Sequence, residues 1–139
     1  MTTYTGSCHC GQTAWEAKLE KDQASHVLCH CDACKKLSGS AFTLNQIIPK
    51  DAIKVTKGAD SLKNYKYKGD SGNSVNCYYC PNCTTHAYHH QEVMGDKVIL
   101  RTALLEKAGS FEPAAEVYGK DRYKWEKEVA TTFNVMPPS

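Results

Sequence analysis

The sequence predicts one mainly β domain, and three observations predict it. A chain of 139 residues holds one compact core and is short for two. Runs rich in strand formers recur between glycines, prolines and charged turns. Helical periodicity is nearly absent. With 41% hydrophobic and 23% charged residues, the composition is that of a globular chain rather than a disordered one.

Taken in order, the first strand is expected within Gln12–Leu19, where apolar and polar residues partly alternate. Ser40–Ile48 is a second, ended by Pro49, which has no N–H to give to a ladder. Ala52–Gly58 and Leu62–Gly69 both close on glycine. The latter puts Tyr65 and Tyr67 on one face and Lys66 and Lys68 on the other. Lys97–Leu105 follows a Gly-Asp turn signal. Helix is expected twice: one turn over Asp32–Ser38 with Asp32 as its cap, and a longer segment over Asp121–Phe133. Asn134–Ser139 reads as a frayed tail. There is no repeat beyond the echo of Cys-His-Cys at 8–10 and 29–31, and no linker.

A net charge of +2 gives no case for nucleic acid or an anionic membrane as partner. No apolar run approaches the ~20 residues of a membrane helix. The opening MTTYTGSCHC lacks the basic and apolar regions of a signal peptide, so a cytoplasmic chain is expected. In a reducing compartment eight cysteines point to metal ligation or redox chemistry rather than disulfides. Their spacing agrees, because cysteines one or two residues apart bridge poorly to each other but can aim two thiolates at one ion.

The cysteines form three groups: Cys8 and Cys10; Cys29, Cys31 and Cys34; and Cys77, Cys80 and Cys83. Structural zinc takes four Cys or His ligands, often as two close pairs. Cys8 with Cys10 and Cys80 with Cys83 supply such pairs, and a zinc joining them would clip the start of the sheet to its later half. Three thiols then remain at Cys29, Cys31 and Cys34. Three ligands and one exchangeable position describe a catalytic zinc. An all-thiolate zinc activates water poorly and suits a substrate sulfur better. Two other arrangements stay open on spacing alone: a second closed site completed by His30 or Cys77, or a single zinc with the other thiols free. His30 lies between two ligands and is expected to point away from a metal they share.

These residues together resemble the glutathione-dependent formaldehyde-activating enzyme family, whose domain is shared with centromere protein V. The resemblance rests on GSCHCG (6–11), CHCDACKKLSGSAF (29–42), CPNC (80–83) and EPAAEVYGKDRYKW (112–125). It implies a zinc-binding domain of coiled antiparallel sheets, Mss-four-like in architecture, spanning 1–139 with a core of about 4–125 and a C-terminal extension over 126–139. It implies two zinc ions: a structural one on Cys8, Cys10, Cys80 and Cys83, and a catalytic one on Cys29, Cys31 and Cys34. The implied activity is carbon–sulfur lysis or the reverse addition on a small thiol or thiol adduct, with glutathione as a candidate co-substrate. The family glycine after the last knuckle cysteine is replaced by Thr84, and a common arginine after the trio by Lys35. Cys77 has no counterpart in the pattern and is expected to be a half-buried strand residue.

Proton transfer near the zinc is expected from a histidine, with His86 favoured over His89 and His90 because it follows the knuckle most closely. On a regular strand His86 and His90 would share a face and His89 would oppose them. Lys35 is a candidate contact for a ligand carboxylate. The competing function is a non-catalytic zinc-binding module that binds protein. The sequence leaves oligomeric state and the identity of the thiol open.

Overall fold

The structure, a computed structural model, describes residues 1–138. Among the described residues, ten strands form two sheets. The smaller consists of β1 (Thr2–Ser7), β2 (Ala14–Leu19) and β5 (Ile53–Lys57), in that order. The larger begins with β10 (Glu112–Val117), β3 (Ser25–Cys29) and β4 (Thr43–Pro49). It continues through β9 (Lys97–Arg101), β8 (His86–Gln91), β7 (Ser74–Tyr79) and β6 (Lys63–Lys68). One α-helix, α1 (Asp32–Ser38), follows β3 directly. The mainly β expectation holds.

The pleat gives the large sheet two unlike faces. Ile48, Ala87, Val98 and Leu100 pack with Trp15, Ala17 and Leu19 of the small sheet in one buried cluster. Gly6 lies opposite Trp15, and a Cβ there would come 2.6 Å from the indole nitrogen. The alternate residues, including Asn45, Ile47, Ile99, Arg101 and His89, turn to the other face and pair across neighbouring strands. That second face carries the candidate site.

Five expectations need correction. Asp121–Phe133 is not a helix. Its Tyr123, Trp125 and Val129 are exposed, so it has no apolar stripe to bury, and its backbone bonds go elsewhere. Thr131 and Phe133 exchange hydrogen bonds with Glu116 of β10, at 2.9 and 2.8 Å. Nor is the tail frayed throughout, because the Val135 and Asn134 carbonyls accept from Tyr118 and Lys120. The sheets are not wholly antiparallel: β10 runs parallel to β3, with most of the chain between them and no hairpin to impose a direction. Finally, α1 is capped by Cys31, whose sulfur accepts from the Cys34 amide, while Asp32 is the first helical residue. The strand from Lys97 stops at Arg101 and passes into a 3₁₀ turn. β1, β3 and β10 are strands for which the sequence offered no clear alternation.

Candidate metal centres and cavity

Seven of the eight cysteines gather into two clusters. Cys8 and Cys10 sit in the turn after β1, and Cys80 and Cys83 in the turn between β7 and β8. Their four sulfurs lie within 4.8 Å of one another, with Cys8–Cys10 at 3.6 Å and Cys10–Cys80 at 3.7 Å. Four sulfurs around a tetrahedral zinc with bonds of about 2.3 Å lie about 3.8 Å apart, so the donor set fits that ion. All eight cysteines are free thiols.

The surrounding chain favours the thiolate at Cys8 and Cys83 but the thiol at Cys80, where backbone hydrogen bonds from Cys83 and Asn82 are outweighed by burial and the neighbouring sulfurs, which raise it to about 11. Burial pushes Cys8 up, but hydrogen bonds from Thr13 and Cys10 outweigh it and bring it to about 7. Hydrogen bonds from Thr85 hold Cys83 at about 5. The Thr84 amide closes the knuckle onto the Cys80 carbonyl at 2.7 Å, and this requires φ of 69°. A β-branched residue is poorly suited to that region, where glycine fits freely.

The second cluster is Cys29, Cys31 and Cys34, again within 4.8 Å of one another. Cys29 ends β3, Cys31 caps α1 and Cys34 occupies its first turn, so the strand-to-helix corner converges three sulfurs. Among the described residues no fourth Cys, His, Asp or Glu joins the cluster. His30 is fully buried and turned away, its Nε2 2.7 Å from Glu116 Oε1. Cys77 is buried on β7 opposite His89 and stands outside both clusters. Burial raises its thiol to about 11.

The trio opens on a cavity of about 840 Å³ on the second face of the large sheet. A chain of polar side chains supports it. Arg101 donates to Asn45 Oδ1, and Asn45 donates to Thr43 Oγ1 at 2.9 Å. Thr43 in turn hydrogen-bonds Cys34. Arg101 is buried and, among the described residues, pairs with no carboxylate. Hydrogen bonds from Cys29 and Cys31, then from Thr43, hold Cys34 far below the usual thiol range, and the Arg101 charge adds to them. Cys29 and Cys31 are pushed above the usual thiol range, so the negative charge that the Arg101 cation offsets is that of Cys34.

The histidines fall differently from a regular strand. A bulge in β8 sets Tyr78 opposite Tyr88 and Tyr79 opposite His86, so Ala87 is the extra residue. His86 and His89 therefore approach each other, with ring centroids 5.4 Å apart, in place of the expected pairing of His86 with His90. Burial lowers His86 to about 4 and His89 to about 3, with the Arg101 charge acting in the same direction. Both are neutral at pH 7. His89 lines the cavity, whereas His86 is not part of its wall. Lys35 is drawn away from the cavity. Its ammonium donates to the Asp121 carbonyl at 2.7 Å, pairs with Asp32 at 3.3 Å and lies 4.4 Å from the centre of the Tyr123 ring.

Sequence reading missed Arg101, Asn45, Thr43 and Glu116. The first two had a signal, being polar residues within the apolar runs TLNQIIP and KVILR. Thr43 and Glu116 had none without the fold.

Fold and site together define a two-sheet β protein with two cysteine clusters, each able to hold a metal ion. The chain belongs to the glutathione-dependent formaldehyde-activating enzyme family, whose sequence profile matches residues 3–121. A Penicillium rubens protein provisionally named as such an enzyme is 32% identical over 81 residues, covering 58% of this chain and 40% of the relative. An Emericella nidulans protein of the same provisional name is 31% identical over 86 residues, covering 62% and 42%. The chain thus spans about two-fifths of these relatives' length. A crystal structure of a Rhodobacter sphaeroides protein superposes with a TM-score of 0.60. It is 21% identical and covers 79% of this chain and 99% of its own, a likeness of fold. Among the described residues no helix is long and apolar enough to cross a membrane.

Proposed function

We propose that the chain is a carbon–sulfur lyase, or the catalyst of the reverse addition, acting on adducts of a small thiol. Cys29, Cys31 and Cys34 would hold one zinc ion, and Cys8, Cys10, Cys80 and Cys83 a structural one. The observation that carries the proposal is a three-sulfur cluster that opens on a cavity, beside a separate four-sulfur cluster complete in itself. A zinc on three thiolates would supply a fourth position for a substrate sulfur and would stabilise that sulfur as thiolate.

In the synthetic direction the thiol gives up its proton and its sulfur adds to a carbonyl carbon, whose oxygen gains a proton; lysis runs the same exchange backwards. The cavity holds groups for that exchange. The His89 imidazole is neutral and its Nδ1 has no hydrogen-bond partner. The Tyr67 phenol lines the cavity and burial raises it above its usual range, so it keeps a proton to donate. Arg101 holds a positive charge beside the trio throughout. His89 takes the place that His86 held in the sequence argument, because His89 faces the cavity. The cavity wall includes Met136 as well as Cys29, so the C-terminal segment contributes to the same site as the trio. Eight free thiols suit a reducing compartment, the cytoplasm.

Metal counting on the purified protein and on Cys29→Ser tests the assignment. Two equivalents falling to one, with the fold retained, are expected. One equivalent in both proteins, or full turnover of a confirmed thiol adduct by Cys29→Ser, overturns it.

A further inference from the structure

A buried cation without a carboxylate partner needs some other negative charge to face, and Arg101 is such a cation among the described residues. On the reading that the trio receives a substrate sulfur, we propose that Arg101 makes the open position selective for anionic sulfur, acting as a positioning residue through Asn45 and Thr43. The ligand class it favours is the small thiolate, glutathione included, over neutral nitrogen or oxygen donors.

The donors between Arg101 and the trio all point one way. The guanidinium donates to Asn45 Oδ1, and the Asn45 amide nitrogen donates to Thr43 Oγ1 at 2.9 Å. With its oxygen accepting, Thr43 turns its own hydroxyl proton to Cys34, a bond that favours the thiolate. Strand register fixes these links, since Asn45 lies opposite Arg101 and Thr43 opposite Cys29. Cys34 Sγ is within 4.8 Å of the other two sulfurs, so charge anywhere in the trio is felt at the end of this chain. Hydrogen bonds aimed in line from a cation polarise one another, and buried charges are little screened by salt. Such a chain stabilises negative charge at its far end and offers little to a neutral group.

Charge counting shows why the open position needs it. Three thiolates on a divalent ion would leave one negative charge, and a fourth thiolate would make two. The four-sulfur cluster meets that total with backbone amides, including that of Thr13 on Cys8 at 3.3 Å, and with water at exposed Cys10. The trio lies deeper, with Cys34 buried and Cys29 and Cys31 half-buried. Lys68, Lys120, Asp32 and Asp70 line the cavity only at its exposed rim, where water weakens them. Asp32 is already paired with Lys35, Asp70 accepts from Tyr118, and Asp121 is half-buried and of the wrong sign. In the wall, Tyr67 and His89 give hydrogen bonds but are neutral at pH 7. Arg101 is left as the buried permanent cation. Its charge acts on Cys34, Cys77, His86 and His89 alike, so its field spans this face of the sheet.

The test uses the full chain with cobalt in both sites. It is titrated with 2-mercaptoethanol, whose only charge on binding is at sulfur, and separately with imidazole, a neutral fourth ligand. Occupancy of the open position is read from the cobalt absorption spectrum at one fixed pH. In Arg101→Gln, with cobalt content unchanged, half-saturation by 2-mercaptoethanol is expected to rise at least about tenfold and that by imidazole less than about twofold. Arg101→Lys keeps the charge and is expected to hold both within about threefold. Thr43→Val, nearly isosteric, breaks the last link and is expected to weaken 2-mercaptoethanol alone, by about threefold. It carries the test if Arg101→Gln does not fold. Equal losses for both ligands in Arg101→Gln, or no loss for either, overturn the inference and leave the sulfur site standing. So does a lost thiolate preference in Arg101→Lys, or an unchanged one in Thr43→Val. Absence of any spectral response of the unaltered chain to 2-mercaptoethanol overturns the sulfur site and the inference together.

Discussion

Thr84 bears a cost that its neighbours impose. Its φ of 69° lets its amide reach the Cys80 carbonyl and turns the chain so that Cys80 and Cys83 face one point. A left-handed conformation costs an L-residue about 1–2 kcal/mol, and glycine there forfeits about 0.5–1 kcal/mol through its freer unfolded chain. The difference favours glycine. Thr84→Gly is therefore expected to stabilise the protein by about 0.5–1 kcal/mol, a rise in Tm of roughly 2–4 °C. A calorimetric scan of the metal-loaded protein checks it, and a lower Tm would show that the Thr84 hydroxyl bond to the Cys83 carbonyl outweighs the strain. Residues of this kind were partly legible. The cysteine spacing named every member of both clusters, because C-x-C and C-x-x-C are local facts that survive any fold. Arg101 was not legible as a site residue, since its nearness to Cys34 comes from register between β4 and β9, a relation between distant parts of the chain.

At the scale of elements the two clusters do different work. The four-sulfur cluster ties the turn after β1, in the small sheet, to the turn between β7 and β8, in the large one, across 70 residues of chain. The three-sulfur cluster lies within one strand-to-helix corner, from Cys29 to Cys34, and links nothing remote. Loss of a ligand should reflect that difference, because a metal that closes a long loop contributes its binding free energy to folding. Cys80→Ser is expected to lower thermal stability far more than Cys29→Ser, by at least about 3 kcal/mol against about 1 kcal/mol or less. Parallel denaturant titrations check it, and equal losses would remove the distinction between structural and open sites. Strand alternation revealed β2, β4, β5 and β6, which have patterned sequences. It failed at β8, where the bulge at Ala87 reversed which histidines meet, and at β10, whose parallel pairing with β3 carries no local turn signal.

Over the whole molecule, the C-terminal segment closes the structure through one carboxylate. Glu116 Oε1 meets His30, and Oε2 accepts from the Val129 and Ala130 amides at 2.7 and 3.2 Å. A buried group on β10 thus holds both the corner that carries the trio and the strand-like return of residues 129–135. The segment could not be read as such from sequence, because its order comes from hydrogen bonds to Glu116 rather than from any periodicity of its own. Burial opposes ionisation of Glu116, but the Val129 amide, His30, the Ala130 amide and Arg122 outweigh it and hold the carboxyl below its usual range. The folded state therefore binds this proton less readily than the unfolded chain does. The resulting stability is fully present above the usual carboxylate range and is lost as pH falls through the lowered folded value. Neutralising the group at pH 7 should remove the same contribution. Glu116→Gln is expected to cost about 2 kcal/mol, roughly 8 °C in Tm at neutral pH, and to flatten the decline in stability on acidification. Hydrogen exchange is expected to quicken first at Val129 and Ala130, since their amides lose an ionised acceptor while the β4–β9 ladder keeps its own bonds. Unchanged protection at those two amides in Glu116→Gln would show that the segment is held by its backbone pairing with β10 alone.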